Sequence, residues 1–317
     1  MRLYNGKVKP PQINLQQIIS FYFVGKEKSF SVASEKLFVT QPAVTQQIKA
    51  LETQFGVKLI NVKRKRVHLT KAGERLLDYA EEIVNHVTMA ENFLKSFTVN
   101  NLQLGVACTL MLYLTPIIDR FKELHPSVRL AVREGPSLTL VKDLLDFKYD
   151  VCLVGTLREV DRRLQVFRIP QVEKMVLVAA PDYQLALKKR VRWEDLINYP
   201  LIIQSEGSVA REIILEHFRS AGLRPLIGAE VDNIECAKEL ARQKKGVALM
   251  FLPNVKDEVA REKLKIIPVA DGEIRLGIDV VINRETSMSP AIKTFLPVIE
   301  EYFNYHSFQQ KLLTLAV

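Results

Sequence analysis

The 317 residues carry a net charge of +9, unevenly placed: residues 1–98 hold 15 Lys+Arg against 8 Asp+Glu, a balance of +7, and the remainder 30 against 28, a balance of +2. A positive field on under a third of the chain is what phosphate attraction and fast association with DNA need. Three well-separated cysteines without a CxxC, five histidines without metal spacing, and the lack of any GxSxG, Walker or paired-acid motif speak against a zinc site, a disulfide frame and an enzyme, so neither metal nor cofactor is expected.

The first helix reads as Leu15 to Val24 (LQQIISFYFV), and Ser31 to Phe38 (SVASEKLF) as a short second one, with Ser31 as its cap and Ala33 and Leu37 as a narrow packing face. A third starts at Thr40, in TQPAVTQQIKALE. Thr40 serves as N-cap and Pro42 sits where first-turn amides lack partners anyway. Val44, Ile48, Leu51 and Phe55 make one buried stripe. Gln41, Thr45, Gln46 and Lys49 fall on the other face. Short amide and hydroxyl side chains near a helix N-terminus suit base edges in a major groove, and Lys49 a phosphate. Taken alone, this is equally an amphipathic helix with a polar face. The short spacing between the second and third helices is that of a helix-turn-helix. Downstream, Lys58 to Thr70 reads as two β-prone pieces around Lys63, Arg64, Lys65 and Arg66, a basic wing able to reach backbone phosphate or a minor groove.

Residues 14–98 resemble the amino-terminal domain of LysR-type transcriptional regulators. The resemblance is carried by Phe21, Ser29-Phe30, Ala33, Leu37, Gln41-Pro42-Ala43, Gln47-Ile48, Leu51-Glu52, Gly56-Val57, Leu59, Val67, Leu69-Thr70 and Ala72-Gly73. It implies a winged helix-turn-helix in which Gln41, Pro42, Thr45 and Gln46 carry base or groove contacts. The full DNA-binding expectation is Ser31, Thr40, Gln41, Pro42, Ala43, Thr45, Gln46, Lys49, Lys63, Arg64 and Arg66. The chain departs from the family at Val62, where an arginine is usual, and at Arg64, where a glycine is frequent. That moves the wing's phosphate contacts onto Lys63, Arg64 and Arg66. Members also often carry arginine in place of Gln46.

A long helix follows, Lys71 to Ser96, entered through Thr70. Leu76, Ala80, Ile83, Val87, Ala90, Leu94 and Phe97 alternate by four and three, the spacing of a two-helix seam. Packing onto its own domain is the plain alternative. Pairing with the same helix of a second subunit is preferred, and the family's linker helices dimerise. Two recognition helices then meet two half-sites of an imperfect inverted repeat in double-stranded DNA.

From Leu102 the order is strand (to Ala107), helix (Leu110 to Leu124), strand (Val128 to Arg133), helix (Ser137 to Phe147) and strand (Asp150 to Val154), an open parallel sheet. A second α/β set contains Met175 to Ala179, Trp193 to Ile197, Leu201 to Ile203, Val209 to Ala221, Glu235 to Gln243 and Val247 to Met250. Leu276 to Ile282 and a helix Pro290 to Tyr302 complete it. This region resembles the family's effector-binding portion through Glu134-Gly135, Asp150-Val151, Leu177-Val178, Gly222, Gly246-Val247-Ala248-Leu249 and Pro253. The resemblance implies two lobes joined by crossover strands near Gln165 to Arg168 and Leu276 to Val281.

The fold expectation is therefore α + α/β: a winged helix-turn-helix over 14–70, a linker and dimerisation helix over 71–98, and a two-lobed, Rossmann-like, periplasmic-binding-protein-like effector domain over 102–303. Lobe I spans about 102–166 and 282–303, lobe II about 167–281. Strand ends bring Cys108, Thr109, Ser137, Thr156, Ser205 and Ser208 beside helix starts, which favour a small anion. Each of these hydroxyls can equally be a helix cap, and Cys152 reads as core. Redox sensing at Cys108 is a lesser alternative.

Residues 1–13 lack the apolar core of a signal peptide and no apolar run approaches the roughly 20 residues of a membrane span, so a cytoplasmic protein with reduced cysteines is expected. The expected function is a sequence-specific DNA-binding regulator controlled by a small, anionic effector, dimeric and further tetrameric. Ligand-dependent lobe closure would alter DNA bending and, by family resemblance, contact with RNA polymerase. The rivals are a two-lobed small-molecule binder without specific DNA readout and, third, a two-lobed metabolic enzyme.

Overall fold

The computed structural model describes residues 3–4, 7–8, 11–63, 66–97, 101–270, 273–287 and 289–304. The chain divides into two compact units, 1–91 and 92–317. The first holds a hairpin of β1 (Leu3–Tyr4) and β2 (Lys7–Val8), then α1 (Leu15–Glu27), α2 (Phe30–Lys36), α3 (Gln41–Phe55), the wing strands β3 (Ile60–Lys63) and β4 (Arg66–Leu69), and most of α4 (Lys71–Ser96). Helix starts follow their side-chain caps: Asn14 takes Gln16 N at 2.8 Å, Ser29 takes Val32 N at 3.3 Å, and Thr40 takes Ala43 N at 3.4 Å. Ser29, not Ser31, caps α2. Its extended backbone ends α1's exit turn, which leaves Ser31 inside the first helical turn.

Ile18, Phe21, Val24, Ala33, Val44, Ile48 and Leu51 close one core with Leu59, Ile60 and Val67 of the wing and Ala80 of α4. Phe55 does not join it: it is 48% exposed, one turn beyond the reach of α1. Nor is the stripe of α4 wholly free. Leu76, Leu77 and Ala80 pack on this core, while Ile83, Ala90, Leu94 and Phe97 are exposed and Val87 is half-buried.

Glu52 ties helix to wing. It is 8% exposed, Oε1 accepts from Leu59 N at 2.9 Å and Ile60 N at 3.0 Å, and Oε2 meets Lys58 Nζ at 2.7 Å. Burial pushes its carboxyl up, but the Lys58 ammonium and the two amides outweigh burial and hold it below its ordinary 4.5. Gly73 then lets α4 start against the wing, since a Cβ there would lie 2.2 Å from Leu59 O.

The second unit contains β5 (Asn101–Ala107), α5 (Met111–Leu124), β6 (Arg129–Gly135), α6 (Ser137–Leu145), β7 (Val151–Gly155), β8 (Leu164–Ala179), α7 (Trp193–Leu196) and β9 (Leu201–Ile203). After these come α8 (Val209–Ser220), β10 (Ile227–Glu230), α9 (Ile234–Arg242), β11 (Val247–Phe251), α10 (Leu252–Ala260), β12 (Lys265–Ile267), β13 (Ile274–Asn283) and α11 (Pro290–Phe303). Cys108–Leu110 form a 3-10 turn ahead of α5, and α6 stops two residues short of Phe147, whose φ of 57° is left-handed.

The sheet runs β10-β9-β11-β8-β13-β7-β5-β6, with β12 also on β8. Strands β6, β5 and β7 are parallel in lobe I, as are β10, β9 and β11 in lobe II. The crossover strands are longer than the sequence suggests. Their register shifts where Ile278 pairs Ile169 and Gly277 pairs Val172, so Pro170 and Gln171 bulge.

Both faces of lobe II's sheet are covered. Met175, Leu177 and Ala179 face one apolar cluster, and Val176 and Val178 another, which is why this strand reads as an unbroken apolar run.

Replacing Glu52 by Ala is expected to destabilise the N-terminal unit by about 2–4 kcal/mol, since two buried amides lose their acceptor. Because Glu52's folded carboxyl lies below its ordinary value, this stability is present above pH ~4.5 and declines as pH falls through the folded value. Calorimetric unfolding of wild type and variant from pH 7 to 3 checks both: the gap should narrow on acidification.

Candidate nucleic-acid interface and candidate ligand cleft

In the first unit, Gln41, Pro42, Thr45, Gln46 and Lys49 share one shallow, open face of α3. Neighbouring hydrogen bonds decide what two of them can offer. Ser31 Oγ donates to Gln41 Oε1 at 3.2 Å, which leaves the Gln41 amide nitrogen as a donor. Thr45 Oγ1 donates to Gln41 O at 3.0 Å, so outward it offers lone pairs and a methyl. Gln46 is exposed and among the described residues nothing ties its amide, leaving donor and acceptor side by side as adenine readout requires. Thr40 is occupied as the cap and Ala43 is half-buried.

Lys49, Lys63 and Arg66 are exposed, and no ion pair among the described residues engages them. Free cations of this kind suit phosphate. Arg64, expected as a wing contact, lies outside the described residues. Sequence reasoning missed Phe38, in the turn before α3. It is 95% exposed with φ 55°, an uncommon backbone for a bulky residue. The clue available was an aromatic residue just before the Thr40 cap.

In the second unit, a cleft between the lobes is lined by Cys108, Thr109, Ser137, Gln204, Ser208, Asp232 and the first residues of α8. Four of the six expected residues meet there. Ser137 Oγ accepts from Gly155 N at 3.3 Å, and Ser208 Oγ caps α8 through Arg211 N at 3.5 Å. Thr109 contributes its carbonyl, which accepts from Asn254 Nδ2 at 3.0 Å. Thr156 is not among the lining residues. It packs on the crossover strand, where a Cβ at Gly277 would come within 2.3 Å of its hydroxyl. Ser205 stands behind the wall, bonded to Asp232 through N at 3.0 Å and Oγ at 2.6 Å.

Burial, reinforced by Glu134 and Asp232, pushes the Cys108 thiol up to about 12. A neutral buried thiol is a poor nucleophile, which argues against redox sensing there. Cys152 is fully buried and also pushed up, and Cys236 is exposed. Among the described residues no group of His, Cys, Asp and Glu could hold a metal, and no helix is long and apolar enough to cross a membrane.

A winged helix-turn-helix with a cationic reading face, carried on one chain with a two-lobed ligand-type domain, defines a ligand-responsive DNA-binding regulator. Residues 15–74 match the family model for bacterial regulatory helix-turn-helix proteins of the lysR family, and residues 98–304 that for the LysR substrate binding domain. The chain belongs to the LysR family of transcriptional regulators, a DNA-binding regulator with an effector-binding domain. It is 27% identical over 292 residues to the probable RuBisCO transcriptional regulator of Trieres chinensis, covering 89% of this chain and 94% of that one. Full-length CbnR in complex with its target DNA shares the fold at a TM-score of 0.61, with 20% identity over 91% of this chain and 99% of the other. The regulatory domain of Synechocystis CcmR in complex with 2-PG matches at 0.58, with 18% identity over 65% of this chain and 99% of that domain.

Replacing Gln46 by Ala should weaken a specific site by roughly 1–3 kcal/mol and leave random DNA nearly unchanged. Lys63→Ala should weaken both about equally and lower the salt slope by about 1. Fluorescence anisotropy against specific and scrambled duplexes separates them; equal losses for Gln46→Ala on both would remove it from base readout.

Proposed function

We propose that this regulator works as a homodimer joined through α4 and binds an imperfect inverted repeat. The carrying observation is the open part of the α4 stripe: Ile83 is 37% exposed, Leu94 68% and Phe97 42%, with Ala90 also exposed. Apolar residues at heptad spacing, left in water along a helix, gain most by pairing with their own copy. Two α3 helices are then presented to two half-sites, read by Gln41, Thr45 and Gln46 and held by Lys49, Lys63, Arg64 and Arg66. Phe38 adds an apolar tip suited to a thymine methyl.

A small molecule sits between the lobes against Cys108, Thr109, Ser137 and Ser208. Its carboxylate lies at the helix start of α8, where oriented amides favour negative charge. The complexes of CbnR with DNA and of CcmR with 2-PG support these two roles. Further pairing of the two-lobed units gives a tetramer. Ligand-driven lobe movement changes DNA bending and the approach to RNA polymerase, in the cytoplasm.

Sequencing of genomic fragments retained at near-physiological salt tests the reading: an inverted-repeat site beside a gene cluster is expected, and no enrichment over random fragments overturns it. Leu94→Asp should shift the protein to monomer in sedimentation and weaken the full repeat by at least about a hundredfold, because two-site binding is lost. An unchanged dimer would remove α4 as the seam.

A further inference from the structure

Gln204 ends the segment after β9 and is 3% exposed. Its Nε2 donates to Leu249 O at 3.3 Å, which fixes the amide and leaves Oε1 on the cleft side without a hydrogen-bond partner. Asp232, on the same wall, uses one position on each carboxylate oxygen for Ser205 N and Ser205 Oγ. An ionised carboxylate offers about four such positions, so roughly half remain open. Glu134, on β6, helps to raise the Cys108 thiol but is exposed and not among the residues lining the cleft. Among the described residues no lysine or arginine lines the cleft. Arg211, one turn into α8, is turned to Gln204 O at 2.8 Å and to Glu230 at 2.9 Å.

The donors are gathered at one place. Val209 and Ala210 line the cleft as the first two residues of α8, where backbone N–H groups precede the intrahelical ladder. The Ser208 hydroxyl accepts from Arg211 N, which leaves its own O–H able to donate beside them. The wall therefore has an acceptor pole, at Gln204 Oε1 and Asp232, next to a donor pole at the start of α8.

We propose that the effector is a small zwitterion of the α-amino-acid class, its ammonium taken by Gln204 Oε1 and Asp232 and its carboxylate by the amides of Val209 and Ala210. This rests on the cleft being the effector site. A purely anionic ligand would satisfy the helix start but face Asp232 with no lining cation to offset it and leave Gln204 Oε1 unpaired. A purely cationic ligand would leave the helix start empty. Only separated opposite charges match both poles. The cleft itself is nearly shut, with a volume of about 10 Å³, room for one water. Entry requires the lobes to part, releasing Leu138 N to Gly207 O (2.9 Å), Asn254 Nδ2 to Thr109 O (3.0 Å) and Tyr113 Oη to Glu173 Oε1 (2.7 Å).

Isothermal titration of the full chain with free L-amino acids tests this, each set beside the keto acid of the same skeleton, which lacks the ammonium, and the carboxamide, which lacks the carboxylate. Dicarboxylic acids complete the panel. At least one amino acid should bind, with its keto acid and carboxamide at least tenfold weaker. Asp232→Asn should weaken the amino acid at least tenfold without a matching loss for the keto acid, its folding checked by the ligand-free unfolding midpoint. Binding of keto or dicarboxylic acids but no amino acid would overturn the zwitterion and leave the cleft as an effector site. Amino-acid binding untouched by both Asp232→Asn and Gln204→Leu would put the site elsewhere and overturn the proposal. Silence from the whole panel, with no midpoint shift from a cell metabolite extract, would overturn the effector-cleft reading as well.

Discussion

The antiparallel pairing of β8 with β13 carries the second unit. These two strands pass from one lobe to the other, so the parallel triplets β6-β5-β7 and β10-β9-β11 share a single hydrogen-bonded sheet while remaining separate α/β bodies. Parallel strands point their carboxyl ends the same way within each lobe, and the loops leaving those ends meet at the cleft. The bulge at Pro170 and Gln171, opposite Gly277 and Ile278, interrupts the ladder at the crossing. A ladder with two unpaired residues bends more readily than a regular one, so the crossing is the natural place for lobe movement. Tyr113, beside Glu173 and Gln171, fastens α5 to that segment.

Cleft electrostatics follow from this placement. Helices α6 and α8 both start there, which supplies positive ends of helix dipoles, while the segments after β9 and β10 supply Gln204 and Asp232. Leaving Gln204 Oε1 unpaired costs about 1–3 kcal/mol, a penalty that a donating ligand removes. Burial above all, reinforced by Glu134 and Asp232, keeps the Cys108 thiol protonated. One local environment thus explains both an inert cysteine and a cleft poised for a hydrogen-bond donor.

In the first unit, Glu52 makes the wing part of the helix core, and specificity is set by bonds within the unit as much as by residue type. Ser31 fixes which end of Gln41 faces outward, and the Thr45 back-bond to Gln41 O removes its donor. Gln46 alone of the three keeps both functions. Lys49, Lys63 and Arg66 lie apart from acidic partners among the described residues, consistent with a field concentrated in residues 1–98.

Periodicity, caps and breakers act over a few residues, so what depends on them was legible in the chain alone: the Thr40 cap, the start and end of α4 at Lys71 and Ser96, the wing strands, the parallel α/β order, the exposed reading face and the family resemblance. Ser31 was misread as a cap because Ser29 and Ser31 are equivalent by composition and only the path of the preceding turn selects between them. Phe55 and the first turns of α4 were misassigned because burial depends on where α1 and the wing stop. Strands β10 and β12 and helix α10 escaped notice, being short, mixed in polarity or without a side-chain cap. Gln204 and Asp232 had no local signal at all. They follow different strands, β9 and β10, and share one wall of the cleft only because those strands pair; such convergence is a property of packing, which no short-range pattern encodes.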